Sequence, residues 1–498
     1  MTPTKADFES ALRTVNDPEI KDEINNYMLS PRYTTTVRDM SPQSTVRVSE
    51  PSPGNISSPD IWSDISMSAQ MSETAFSETL NNITVQDSAY EQYHMVRTGT
   101  ARVIHYIPDP NMSCGYADMR DHINYQRETI STEELKIIAK ADRHFHVLAL
   151  IEDGAKVIID QWLFLMLCVM RQFPGKFELE VTPWRLFLAW VLSAKHEQDY
   201  HTWRRYDLVL GTVDYSTEYI RSSTGITYEN AATFDERMQR MADYTMIWPP
   251  INLIKMAACK WSTIVKLDEV AARTTHTMRP TTTLWDGMHI PNGKVLKRCY
   301  SSYQEDVYLP DGSSKIPTVE SLNAESVLPG RHWMIQDWVP QLRQLGELKV
   351  YFVDMKVVYI AVTRYSPSKS GWEFSVNPTI PTLAEMYSLY TQNRSRTDFL
   401  IWPQASDRAG EDAGRAELLE YATKTLDALI AYERRAAYGA TSLTGMCRMD
   451  IGVLFRASRC DYFVSEIERT IGLGIFGPDM VSVMAGRLGS LWLDMLTS

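Results

Sequence analysis

The chain has 498 residues, of which 44% are hydrophobic and 22% are charged. These values are ordinary for a folded, water-soluble protein, and the length allows about two or three domains of the usual size. The 62 Asp and Glu residues outnumber the 50 Lys and Arg residues, which gives a formal charge of −12. A negative field of this kind does not favour nucleic acid or an anionic membrane as a partner, so we expect neither.

The cysteines and the N-terminal segment indicate the compartment. The six cysteines are scattered and form no Cys-x-x-Cys motif, which favours a reducing environment. The N-terminus lacks the charged and then apolar segments of a secretory signal. The longest apolar run, Trp162–Met170, is about half as long as a bilayer-spanning helix. We therefore predict a cytoplasmic protein.

Composition divides the chain into three predicted parts. Residues 1–90 are rich in Ser, Thr and Pro and cannot bury enough apolar surface to offset the entropy of ordering, so we predict a disordered tail with one short helix at Thr4–Val15. Strands and helices alternate from 91 to 250, which predicts an α/β domain. Residues 251–498 form the third part.

The predicted elements follow from hydrophobic periodicity and from turn residues. In the α/β domain the predicted strands are Ala101–Ile107, Phe145–Ile151 and Tyr206–Val213, and the predicted helices are Val157–Gln172, Pro183–Ala194 and Phe234–Thr245. In the third part the predicted helices are Leu253–Ala272, Ala413–Ala436 and Asp479–Leu496, and the predicted strands include the hairpins Lys294–Tyr300 with Asp306–Leu309 and Leu348–Val353 with Lys356–Arg364. A polar stretch, 366–412, is predicted to be an insertion.

Three carboxylates near the C-terminus are the first candidate for a functional site. Asp450 lies in one predicted strand, Cys447–Phe455, and Glu466 and Glu468 lie at i and i+2 in the next. Because side chains alternate along a strand, Glu466 and Glu468 point to the same face. Pairing of the two strands would bring the three acids together, and a hard cation such as Mg²⁺ or Mn²⁺ would offset their repulsion. The alternative is a hairpin at the edge of a sheet with a solvated acidic face.

Several familiar signatures are absent or misleading. No P-loop, protein-kinase set or Gly-x-Ser-x-Gly elbow occurs. His196 and His201 are five residues apart, which does not suit a shared metal on a helix. The Gly-x-Gly-x-x-Gly match at Gly472–Gly477 lacks the following strand and acid of a dinucleotide site, so we interpret these glycines as a turn.

Basic and strand-end residues precede the carboxylates in an order that suits a nucleotide. Lys297, Lys349 and Arg364 could neutralise phosphates. Between Lys297 and Lys349 lies a strand that ends in Gln336-Asp337-Trp338-Val339, whose backbone groups could read an adenine edge. The carboxylates would then hold Mg²⁺ against the β- and γ-phosphates.

This order resembles the ATP-grasp family of carboxylate–amine ligases over roughly residues 250–480. The resemblance implies cofactor-binding roles for Lys260, Lys297, Gln336, Asp337, Trp338, Val339 and Glu347, catalytic roles for Lys349 and Arg364, and metal binding by Asp450, Glu466 and Glu468. It also implies an ATP-grasp-like C-terminal module. Two positions depart from the family pattern: Glu468 stands where Asn is usual, and Lys349 stands where Arg is usual.

The resemblance implies an ATP- and Mg²⁺-dependent ligase. Such an enzyme activates a small-molecule carboxylate as an acyl phosphate, which an amine or another nucleophile then attacks. The alternative is a degenerate ATP-grasp fold that acts as a non-catalytic nucleotide-binding or scaffold protein. The sequence does not identify the substrate or the oligomeric state.

Overall fold

A computed structural model describes most of the chain after residue 98. The described residues are 99–107, 122–126, 150–152, 156–194, 200–211, 225–250, 259–290, 292–299, 306–310, 316–326, 332–366, 371–392, 413–436, 441–469 and 478–497. The predicted tail, with its helix at Thr4–Val15, lies outside these residues. None of the described helices combines the length and apolarity needed to cross a bilayer.

The N-terminal part contains a parallel sheet. Its elements are β1 (Ala101–Ile107), β2 (His122–Gln126), β3 (Leu150–Glu152), β4 (Lys156–Asp160), α1 (Gln161–Gln172), β5 (Phe177–Pro183), α2 (Trp184–Ser193), β6 (Leu208–Gly211), α3 (Tyr228–Ala242) and β7 (Met246–Trp248). The parallel strands run in the order β5-β1-β6-β7, while β2, β4 and β3 form a small antiparallel sheet. The predicted α/β class is confirmed.

One predicted helix begins later than the sequence suggested. Val157–Gln172 was predicted to be helical throughout, but its first residues lie in β4, and α1 begins at Gln161. The β-branched Val157 and Ile158 pair with both β2 and β3, and Ile159 pairs with β2. Backbone pairing with the neighbouring strands, which suits β-branched residues, therefore outweighs the helical periodicity at this point.

The C-terminal part contains two antiparallel sheets. Its elements are α4 (Lys260–Val270), β8 (Thr282–Leu284), β9 (Lys294–Arg298), β10 (Val307–Tyr308), α5 (Val319–Ser326), β11 (Trp333–Asp337), α6 (Pro340–Leu345), β12 (Glu347–Val353), β13 (Lys356–Ser366), β14 (Gly371–Val376), α7 (Leu383–Gln392), α8 (Ala413–Ala436), β15 (Met446–Phe455), β16 (Cys460–Arg469) and α9 (Pro478–Thr497). The smaller sheet has the order β10-β9-β11-β8, and the larger has the order β14-β13-β12-β15-β16. The stretch predicted to be a polar insertion thus contributes β14 and α7. The predicted domain boundary near residue 250 stays a prediction.

Helices cover both faces of the larger sheet. Leu418, Ala422 and Leu426 form a buried stripe along α8 and pack on one face with Leu348 and Met449. Apolar residues that recur every three to four positions lie on one side of a helix, which can then be buried. This pattern explains why α8 is helical along its length, and its predicted bounds agree with the structure.

Part of the opposite face packs against α1 and α9. Tyr351, Tyr359 and Met446 are buried there with α9 residues such as Leu488 and Trp492. Farther along the strands the same face carries charged side chains instead of apolar ones. The charged part of this face is the candidate site.

A buried ion-pair network joins α8 to β16. The carboxylate of Glu433 is fully buried and accepts bonds from Arg469 Nη1 at 2.9 Å, Lys266 Nζ at 3.2 Å and Thr441 Oγ1 at 2.6 Å. Burial acts to raise the pKa of Glu433, but the charges of Arg469 and Lys266 outweigh burial and lower this pKa to about 2. The network therefore holds α4, α8 and β16 together through one anion.

The low pKa of Glu433 predicts a defined acid sensitivity. An unperturbed Glu has a pKa of about 4.3, so the stability from this group is present above that pH and is lost as the pH falls toward about 2. We expect the difference in unfolding free energy between the parent and Glu433→Gln to shrink between these two pH values. Urea titrations of both proteins across this pH range would measure the difference. A difference independent of pH would contradict the assignment.

Candidate active site

The register of three strands places the charged side chains in two adjacent rows. Lys349 of β12 lies opposite Asp450 of β15, which lies opposite Glu466 of β16. In the next row Arg448 lies opposite Glu468. Directly opposed residues in an antiparallel sheet share a face, so the two rows form one charged surface.

A bulge in β16 sets this arrangement. The pairing of β15 with β16 shifts after Asp450, which pairs with Glu466, whereas Ile451 pairs with Val464. The extra residue is Ser465, whose hydroxyl lies 2.6 Å from Glu347 Oε1 and 3.1 Å from the Asp450 carbonyl oxygen. The bulge therefore ties Glu347, on β12, to the two acidic strands.

Asp450 is held by two cations. Its Oδ2 accepts from Lys349 Nζ at 2.5 Å and from Arg448 Nη2 at 2.9 Å, and its Oδ1 accepts from Arg448 Nε at 2.6 Å. Burial acts to raise the pKa of Asp450, but Arg448 and Lys349 outweigh burial and hold this pKa below its usual range. Asp450 is therefore ionised, and both of its oxygens are engaged.

Glu466 is paired with the lysine that begins α4. Lys260 Nζ lies 2.5 Å from Glu466 Oε1. Burial raises the pKa of Glu466, but Lys260 and Lys297 outweigh burial, and the pKa is lowered overall. Because Glu466 keeps 30% of its side chain exposed, a ligand can reach this ion pair.

Glu468 differs from the other two acids. Burial and the charge of Glu466 raise the pKa of Glu468 to about 8, although Lys260 and Arg448 act in the opposite direction. A raised carboxyl pKa of this kind marks a place where one more positive charge would be favourable.

Glu466 and Glu468 carry more negative charge than their neighbours offset, as the raised pKa of Glu468 shows. The Lys260 ammonium already neutralises Glu466 as a stand-in cation, and the second carboxylate is left under-compensated. Within the described ranges, no three His, Cys, Asp or Glu side chains are assembled as a group that could hold a metal. The metal-binding roles of Asp450, Glu466 and Glu468 stay predictions.

The smaller sheet contributes Lys297 and the residues that follow β11. Lys297 Nζ donates to Gln336 Oε1 at 2.9 Å. Burial lowers the pKa of Lys297, and the charge of Glu466 opposes that shift. Lys297 and Glu466 therefore influence each other electrostatically, and the cofactor-binding role of Lys297 stays a prediction.

The side chain of Asp337 lies on the opposite face of the sheet from that of Gln336, because the two residues are consecutive in β11. It forms an ion pair with Lys294, and its Oδ2 accepts from the Thr281 backbone N–H at 3.2 Å. Trp338 and Val339 connect this strand to α6, which begins at Pro340. The adenine-binding roles of Gln336, Asp337, Trp338 and Val339 are not tested by these contacts and stay predictions.

Arg364 lies apart from the other predicted catalytic residue. Thr363 pairs with Glu347 and Lys349 pairs with Ala361, so the face that carries Lys349 includes alternate residues of β13. Arg364 is the residue after Thr363, so the alternation along the strand puts its side chain on the opposite face. Its catalytic role stays a prediction, and Lys349 is the one that the structure brings to the acidic rows.

Arg448 is a site residue that the sequence reasoning missed. Its guanidinium donates hydrogen bonds to Asp450 from two nitrogens and lies 6.0 Å from the centre of the Tyr351 ring. The signal was available, because Arg448 and Asp450 are at i and i+2 of one predicted strand and must share a face. The bulge at Ser465 and its bond to Glu347 had no comparable signal in the sequence.

Comparisons with known proteins found similar chains only among solved structures. No protein-family model and no curated protein matches the chain. Among solved structures, the D-cycloserine synthetase DcsG aligns with 66% of this chain and 93% of its own, at 16% identity and a TM-score of 0.38. The D-alanine–D-alanine ligase of Bacillus anthracis, solved with ATP, aligns with 80% of this chain and 96% of its own, at 10% identity and a TM-score of 0.38.

The ATP-grasp ligase PsnB, solved with a minimal precursor, Mg and ADP, aligns with 81% of this chain and 99% of its own, at 12% identity and a TM-score of 0.37. The chain resembles the ATP-grasp ligases.

Proposed function

We propose that the charged face binds ATP with Mg²⁺ and that the chain is a ligase for a small-molecule carboxylate. The observation that carries the proposal is the Lys260–Glu466 ion pair beside Lys297 and Glu468. The Lys260–Glu466 ion pair would be replaced when a nucleotide binds with its metal. The phosphates would then pair with the lysines, and the metal would pair with the carboxylates.

Each group would have a separate task in this arrangement. Mg²⁺ held by Glu466 and Glu468 would neutralise charge on the β- and γ-phosphates. Lys260, freed from Glu466, and Lys297 would donate to phosphate oxygens. Arg448 and Lys349 are held in place by Asp450 and would supply positive charge near the transferred group.

The reaction would then require positioning rather than a side-chain nucleophile. A substrate carboxylate oxygen would attack the γ-phosphorus, ADP would leave, and an acyl phosphate would form. An amine or other nucleophile would attack the acyl carbon, and inorganic phosphate would leave. Alignment and fixed positive charges can supply most of the acceleration of such transfers.

The alternative function is nucleotide binding without turnover. It is favoured by one observation: both oxygens of Asp450 are engaged by Arg448 and Lys349, so this acid would have to release a cation before it could bind a metal. Glu468 in place of the usual Asn adds to this possibility. A scaffold protein could keep the same charged face and bind ATP without consuming it.

ADP release separates the two functions. We expect the purified chain, given ATP and Mg²⁺, to release ADP when a pooled small-metabolite fraction containing carboxylates and amines is added, and to release much less without it. A coupled ADP assay measures this, with the same fraction and no protein as the control. ATP binding with no ADP release from any metabolite pool would establish the non-catalytic alternative.

A further inference from the structure

We propose that Gln336 and Thr282 form a hydrogen-bond relay that positions Lys297 for a phosphate group. This inference rests on the proposed ATP site and assigns positioning roles to two side chains. It differs from the predicted role of residue 336, which concerned backbone contacts to adenine. The relay makes phosphate recognition depend on residues at the far edge of the smaller sheet.

The relay crosses three strands on one face. Thr282 of β8 lies opposite Gln336 of β11, and Lys297 of β9 lies opposite Met334, two residues before Gln336. Lys297 and Gln336 are therefore diagonal neighbours, a separation that long side chains can span. Gln336 and Thr282 are buried, with 5% and 8% of their surfaces exposed, so water does not compete for these bonds.

The hydroxyl of Thr282 determines which way the Gln336 amide faces. Thr282 Oγ1 donates its proton to the Pro280 carbonyl oxygen at 3.2 Å. It must therefore accept from Gln336, and the Gln336 Nε2 group donates to it at 2.9 Å. The amide oxygen is then the end that faces Lys297, where it accepts from Nζ at 2.9 Å.

A neutral acceptor suits a lysine that has to bind an anion. Gln336 is the hydrogen-bond partner of the Lys297 ammonium within the described part of the chain. The bond restricts the flexible side chain without placing an anion in contact with it, and it leaves the other N–H groups of the ammonium able to donate. A carboxylate at position 336 would neutralise that charge and repel phosphate.

The relay therefore predicts an effect on phosphate recognition and not on the adenosine part of the ligand. We expect Gln336→Glu to lower the affinity for Mg·ATP by about tenfold or more, because it places an anion beside Lys297. Thr282→Val, which has the same shape without the hydroxyl, should lower the affinity for Mg·ATP by a smaller factor. Thr282→Ser, which keeps the hydroxyl, should bind Mg·ATP as tightly as the parent. The affinity for adenosine should stay the same in all variants.

Titration calorimetry of Mg·ATP and of adenosine against each variant tests this inference. The matched control is Thr283→Val, because Thr283 is the next residue of the same strand and is exposed on the other face. A structural role alone would lower the affinities for both ligands together, and that result would overturn the relay. Unchanged ATP affinity in Gln336→Glu would overturn it as well.

Binding of Mg·ATP to the parent protein distinguishes a failure of the relay from a failure of the proposed function. If the parent binds Mg·ATP and the variants bind it equally well, the relay is wrong and the proposed function stands. If the parent does not bind Mg·ATP, the proposed function fails and the relay fails with it.

Discussion

Replacing Glu466 with Gln is expected to abolish the Mg²⁺-dependent stabilisation of the chain by ATP. Glu466 pairs with Lys260 at 2.5 Å and lowers the cost of keeping Lys297 charged. Glutamine keeps the shape of the side chain but removes the charge that would hold the metal. ATP at about 100 times its dissociation constant should stabilise the parent by about 2.7 kcal/mol, and this gain should vanish in the variant.

Thermal unfolding with ATP, with and without Mg²⁺, measures this loss. Asp354→Asn is a suitable control, because Asp354 forms an exposed ion pair with Lys356 at 3.5 Å in the turn between β12 and β13. Its backbone has a φ of 51°, which Asn tolerates. Equal ATP stabilisation of Glu466→Gln and the parent would mean that the acidic rows do not hold the metal.

Replacing Glu433 with Gln is expected to be the most destabilising of these substitutions. The side chain of Arg469 is 3% exposed and that of Lys266 is 13% exposed, so both cations would stay largely shielded from water without their anion. Breaking one partner out of a buried ion pair typically costs about 3–5 kcal/mol. The loss should appear as a lower midpoint of urea unfolding.

A carboxylate on the neighbouring helix provides the comparison for Glu433. Glu269 near the end of α4 pairs at 2.9 Å with Arg273, which follows α4 and is 78% exposed. Surface pairs of this kind contribute little, so Glu269→Gln should leave the midpoint nearly unchanged. If the two substitutions shift the midpoint equally, the buried network does not stabilise the fold as described.

Strand periodicity was sufficient to predict the acidic part of the site. Glu466 and Glu468 had to share a face because a strand alternates, and the hairpin that carries them pairs as expected. The hairpin was also open to interpretation as a solvated edge. The structure shows β16 at the edge of the sheet, but its acids face buried cations and not solvent alone.

The partners of the acids could not be predicted in the same way. The contact between Lys260 and Glu466 joins residues about 200 positions apart, and a local sequence pattern cannot reveal a contact between such distant residues. The other contacts of the site depend on strand register and on a bulge. The register shift between β15 and β16 after Asp450 brings Ser465 into contact with Glu347. The same kind of detail places Arg364 on the face away from Lys349, which order along the chain did not reveal.

The most direct test is titration calorimetry of ATP against the parent chain with and without Mg²⁺. Lys260 and Glu466 neutralise each other in the free protein, so the phosphates should bind much more tightly when the metal binds with them. We predict saturable binding of one ATP per chain with Mg²⁺ and much weaker binding in the presence of a chelator. Absence of binding in both conditions, or equal binding with the chelator, would contradict the nucleotide–metal site.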